Sequence, residues 1–171
     1  MIDYSKKESV ATITLSRSKA KNAIGTRMSA ELKDIRNEIQ RDKAVKVVVV
    51  TAENPDVFCV GTDLEEFYAF ENRAEGIALF SVASIIDAFD CPTIAAINGD
   101  ALGQGLELAL ACDLRVCSQN AAFGMPQITA GEMPWDGGTQ RLTRLVGKAK
   151  ALEMILLGEN VDAGEAYRIG L

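Results

Sequence analysis

Apolar positions follow three kinds of pattern along this chain, and each predicts a different element. Val10 to Ser16 (Val-Ala-Thr-Ile-Thr-Leu-Ser) alternates apolar and polar, the mark of a half-buried strand. Met28, Leu32, Ile35 and Ile39 recur at helical spacing with Glu31, Lys33, Asp34 and Arg36 between them, which predicts an amphipathic helix with Thr26 as its N-cap. Lys46 to Thr51 is an unbroken β-branched run, suited to a strand covered on both faces. Thr93 to Ile97 and Leu114 to Cys117 read as further strands. Helices are expected from about Glu75 to Phe89, from Gly105 onward, and over Thr139–Val146, Lys148–Leu157 and Asp162–Ile169. Lys19–Thr26, Phe58–Leu64 and Pro126–Gly138 read as loops. Strands alternating with helices predict an α/β fold built from crossover units, with no internal repeat or linker visible in the sequence.

Composition narrows the function. The 171 residues are 48% hydrophobic and 25% charged, enough for one domain with a real core. A net charge of −6 argues against nucleic acid as a partner, because phosphate binding needs a basic surface. No apolar run approaches the roughly 20 residues of a membrane span, and the first residues lack a signal-peptide core, so a cytoplasmic protein is expected. Cys59, Cys91, Cys112 and Cys117 form no C-x-x-C pair and read as reduced, buried small hydrophobes. The chain has no histidine, which excludes Ser-His-Asp and Cys-His mechanisms and leaves proton transfer to carboxylates, Lys, Tyr, Cys or water.

The chemistry concentrates between Cys91 and Leu142. An apolar strand runs into a turn bearing Gly99, Gly103 and Gly105, and the turn opens an apolar helix with one carboxylate, Glu107. Such a turn presents free N–H groups to negative charge. A carboxylate between Leu106 and Leu108 is costly to ionise if buried, so it is either an acid–base group or an ion-pair partner of Arg115 or Arg141. Gly103-x-Gly105 lacks the third glycine of a dinucleotide fingerprint, since Leu108 stands there. Asp136 has the spacing to cap a helix opening at Gly137. Trp135 is either a pocket wall or a core residue.

Five ordered segments resemble the crotonase superfamily, typified by enoyl-CoA hydratase: Lys21-Asn22-Ala23; Phe58 to Leu64; Pro92 to Asp113; Phe123-Gly124-Met125-Pro126; and Gly137 to Leu142. The resemblance implies a spiral of repeated ββα units, an acyl-CoA substrate and assembly into trimers or hexamers. It also implies that the C-terminal helical part is missing, so that residues 1–171 form a truncated core domain. No metal or separate cofactor is implied, because coenzyme A arrives as part of the substrate. By resemblance the backbone N–H groups of Thr62 and Gln104 form an oxyanion hole, with Gln104 standing where glycine is common. Lys21, Ala23, Val60, Asp63 and Leu64 fall at the coenzyme A contacts. Glu107 matches the first of the two hydratase glutamates, while Gln127 stands at the second. Asp136 falls where dienoyl-CoA isomerases carry an aspartate. The implied reaction is hydration of an α,β-unsaturated acyl-CoA. Double-bond isomerisation by Glu107 and Asp136, or a non-catalytic acyl-CoA-binding scaffold, are the alternatives.

Overall fold

The computed structural model describes residues 1–171 in full. A hairpin of β1 (Ile2–Lys7) and β2 (Val10–Leu15) leads to α1 (Thr26–Arg41). Then β3 (Val47–Ala52) and β4 (Val57–Cys59) precede three short helices, α2 (Leu64–Tyr68), α3 (Arg73–Phe80) and α4 (Ala83–Asp87). The pair β5 (Thr93–Ile97) and β6 (Asp100–Leu102) leads into α5 (Gln104–Ala111). Last come β7 (Leu114–Cys117), β8 (Ala122–Gly124), a 3-10 turn over Pro126–Ala130, α6 (Gly138–Val146), α7 (Lys148–Leu157), β9 (Val161–Asp162) and α8 (Ala163–Ile169).

The chain writes one strand into each of two sheets and then adds helix, and it does so repeatedly. One sheet has the order β1-β2-β3-β5-β7, the other β4-β6-β8-β9. Pairing is parallel except at β1–β2 and β8–β9. This is the expected spiral of ββα units, repeated in backbone without any repeat in side chains. A core of 33 buried residues lies between the sheets and helices. In α1 the buried apolar set is Met28, Leu32 and Ile39, with Ile35 at the margin, so the helical spacing read correctly. No helix is long and apolar enough to cross a membrane.

Several expectations are corrected. The helix expected over Glu75–Phe89 is two helices, broken at Ser81, whose ψ of 124° is extended. Phe58–Leu64 is not all loop: β4 takes its start, and Asp63 caps α2 by accepting from Glu66 N at 3.3 Å. Thr26 is the first residue of α1, not its cap; Gly25 is the cap residue, and Glu66 of α2 accepts from both the N–H and the hydroxyl of Thr26. The β-branched run of β3 buries Val48 and Val50 fully, while Val47 and Val49 face outward and are only half-buried. Cys59 and Cys112 are buried, but Cys117 is exposed because it ends β7 at the edge of its sheet.

Candidate active site

Two backbone turns meet to form the centre of the site. Gly61 adopts φ +105°, a conformation disfavoured for any side chain, and its peptide carbonyl accepts from Ile24 N at 2.8 Å. This turns the next N–H, that of Thr62, away from Ile24. On the facing turn Gly103 has φ +54° and donates its N–H to Gly124 O at 2.9 Å, leaving Gln104 as the first residue of α5. Neither Thr62 N nor Gln104 N has a backbone acceptor. The turns touch: a Cβ on Gly61 would lie 3.1 Å from Gln104 N. Both residues border one cavity of about 130 Å³, lined also by Val60, Leu64, Phe67, Gln127, Glu132 and Trp135.

Glu107, one helical turn into α5, is 0% exposed. Its Oε1 accepts from Asp136 N at 2.8 Å and Gly138 N at 2.7 Å, and its Oε2 faces Gln127 Nε2 at 3.3 Å. Neither arginine pairs with it, which corrects the ion-pair alternative. Arg115 is spent on Leu171 O and Cys112 O, while Arg141 bonds Asp136 O and Asp87. Burial lifts the Glu107 carboxyl to about 7, against the pull of the Gly138 N–H and aided by the negative charge of Asp136. A carboxyl so placed exchanges protons readily at neutral pH. Gln127 stands between it and the cavity, and the Oε1 of Gln127 is buried without a partner.

Asp136 caps a helix, though not the expected one. Gly137 is the cap residue of α6, and the Asp136 carboxylate instead accepts from Ser81 Oγ at 2.6 Å, Val82 N at 2.8 Å and Ala83 N at 3.1 Å. It therefore makes the break between α3 and α4. Gln104 Nε2 also donates to it, at 3.0 Å, and with these donors both of its oxygens are occupied. Trp135 stands outside the main core, stacked on Phe67 with centroids 5.5 Å apart and planes 7° from parallel, one side facing the cavity. Arg73 lies over Phe67 and pairs with Glu132 at 2.7 Å, closing that wall. On the acyl-CoA substrate that the sequence resemblance implies, Trp135→Ala is expected to open the cavity and raise kcat/KM for bulkier acyl chains relative to short ones. A panel of acyl-CoA lengths checks this.

The remaining sequence-derived positions divide. Val60 and Leu64 line the cavity; Lys21, Ala23 and Asp63 do not. These three belong to a neighbouring loop layer: Lys21 O accepts from Val60 N at 3.2 Å, and Arg17 bonds both Ala23 O (2.9 Å) and Asp63 (2.8 Å). Sequence reasoning missed Arg17, Phe67 and Glu132. Arg17 lies only four residues from Lys21, but a lone arginine in a polar loop gives no signal of its own.

Residues 5–171 match the family described as enoyl-CoA hydratase/isomerase. The chain is 40% identical to the short-chain-enoyl-CoA hydratase of Clostridium acetobutylicum over 97% of its own length. Over the same share it is 39% identical to the crotonyl-CoA hydratase of Syntrophomonas wolfei. It spans 65% of the length of each of these relatives. The crystal structure of an enoyl-CoA hydratase from Bacillus anthracis superposes with a TM-score of 0.93 at 34% identity, over 99% of this chain and 67% of that one.

Proposed function

The chain belongs to the enoyl-CoA hydratase/isomerase family, and we propose that it hydrates an α,β-unsaturated acyl-CoA with Glu107 as its only proton-transferring side chain. The observation that carries this reading is the pair of unbonded N–H groups, Thr62 and Gln104, on the cavity that Gln127 separates from Glu107. The thioester oxygen sits between the two N–H groups, which draw electrons from the double bond. Gln127 swings off Glu107, and a water enters between them, held by the otherwise unpartnered Oε1 of Gln127. Ionised Glu107 takes a proton from this water as its oxygen attacks Cβ. Charge moves to the thioester oxygen, where fixed N–H dipoles stabilise it without reorganising. Glu107, now protonated, returns the proton to Cα. Water has been added across the bond and the enzyme is unchanged. Asp136 serves this scheme structurally, as the cap of α4.

A second reading draws on one observation, the amide at Gln127. With an amide in place of a second proton-transferring carboxylate beside Glu107, the same proton shuttle on Glu107 moves a double bond along the acyl chain and needs no water. Mass spectrometry and NMR of enoyl-CoA products formed in heavy water separate the two. Hydration gives a product heavier by one water. Migration gives an unchanged skeleton carrying solvent deuterium. Tight acyl-CoA binding with neither product contradicts both and favours a scaffold. Because Glu107 must be ionised in the free enzyme, kcat/KM for hydration is expected to rise with pH to a plateau, with its midpoint at about 7. The subunit arrangement that goes with this reading is a trimer or a pair of trimers.

A further inference from the structure

The side chain of Gln104 ties the two oxyanion donors to each other. It is 1% exposed, and both of its polar atoms are engaged. Nε2 donates to Phe80 O at 2.7 Å and to Asp136 Oδ2 at 3.0 Å, while Oε1 accepts from Thr62 Oγ1 at 2.9 Å. A carbonyl and a carboxylate can only accept, so they fix which end of the amide is nitrogen and leave oxygen toward the Thr62 hydroxyl. One line of hydrogen bonds thus runs from the residue that carries one donor, through the residue that carries the other, to the break between α3 and α4. A glycine at position 104 would supply none of it.

We propose that Gln104 is a positioning residue whose carboxamide sets the spacing and direction of the Thr62 and Gln104 N–H pair, with the Thr62 hydroxyl and Asp136 as its anchors. The proposal rests on the reading of these N–H groups as donors to a thioester oxygen. Their surroundings differ in stiffness. Gln104 N is fixed by α5, whereas Thr62 follows Gly61 and is held only through the isolated bridge to Ile24. Without its hydroxyl tether the Thr62 peptide plane is free to rock about that bridge. Donors pointed at the oxygen before charge develops stabilise the transition state more than donors that must first reorient. The Thr62–Gln104 bond supplies that pointing. Asp136 keeps the amide from turning, because it also holds Ser81, Val82 and Ala83 in place.

Two substitutions in the full chain separate positioning from packing. Thr62→Val removes the hydroxyl and keeps the branched shape, and Gln104→Ala removes the carboxamide and keeps the helical N–H. The readouts are kcat, KM and the infrared carbonyl band of a bound saturated acyl-CoA labelled with ¹³C at the thioester. Binding to the unaltered protein is expected to move this band to lower frequency. Each variant is expected to lose about tenfold or more in kcat, with KM changed less than about threefold, and to show a smaller band shift. Thr62→Ser should restore both rate and band. Variants with unaltered kcat and band, and only a lower Tm, would overturn the proposal. An unaltered protein whose bound carbonyl band does not move would overturn the donor reading beneath it.

Discussion

Glu107→Gln is expected to lower kcat on an enoyl-CoA by about a thousandfold or more while leaving the fold intact or strengthening it. General acid–base transfer contributes about 10²–10⁴ in rate; this chain has no histidine to substitute, and the other carboxylate on the cavity, Glu132, is engaged in its ion pair with Arg73. The replacement fits the site without strain. Its amide oxygen can keep the N–H groups of Asp136 and Gly138, and its amide nitrogen can donate to the now-unpartnered Oε1 of Gln127 once that amide turns over. Stability moves the other way from activity. Glu107 is raised from its ordinary 4.5 to about 7, so between these values the folded chain holds a proton that the unfolded chain releases. The stabilising share is fully present below about 4.5, declines as pH rises, and is lost above about 7. The shift corresponds to about 3 kcal/mol. At pH 8 the variant should therefore melt higher, on the order of 5–10 °C, and the difference should vanish in mild acid. Calorimetry at the two pH values and a steady-state assay check both halves. A variant that is both inactive and less stable at pH 8 would mean that the carboxylate is held by interactions the structure does not show.

Gly105→Ala is the second substitution expected to have a large effect. Gly105 sits in the first turn of α5 with ordinary helical backbone, so the constraint is space rather than conformation. A Cβ there would lie 2.2 Å from Cys59 O and 2.7 Å from Cys59 Cβ. Both neighbours belong to β4, which cannot retreat without disturbing its pairing with β6. Overpacking of this kind costs about 3 kcal/mol or more when backbone is the obstacle. The displaced elements carry Gln104 and lead to Thr62, so molecules that do fold should also lose roughly 10²-fold in kcat. Gly131→Ala makes the control. Its φ of +70° is unfavourable for alanine, but nothing lies within 4 Å of the new methyl. It should cost only about 1 kcal/mol, with activity retained. Urea unfolding and kcat for the two variants distinguish close approach from backbone preference.

What the sequence disclosed depended on whether the information was local. The alternation of β2, the apolar run of β3 and the helical period of α1 each depend on neighbours within a turn or a few residues, and each lies where it was expected. The strands of the second sheet are two or three residues long, too short for any period, and β6, β8 and β9 left no trace. The break at Ser81 was hidden for a different reason: the carboxylate that makes it lies 55 residues away in sequence. Asp136 was legible as a helix cap, but which helix it caps is a tertiary fact. Glu107 stood out as a carboxylate with a cost to explain, yet its partners are backbone N–H groups, which no letter of the sequence marks. The Thr62 and Gln104 N–H groups were pointed to by resemblance alone, for the same reason.

If one buried glutamate, tuned to neutrality, carries the proton transfers, its titration sets the pH dependence of the rate. ¹³C NMR of the glutamate side-chain carboxyls, with Glu107→Gln to assign the resonance, measures its titration directly, and kcat/KM on an enoyl-CoA can be followed over the same pH range. The carboxyl midpoint is expected at about 7, with a rate midpoint that coincides with it. A Glu107 resonance titrating in the ordinary carboxylate range, or a rate profile indifferent to its midpoint, would rule out Glu107 as the sole proton carrier.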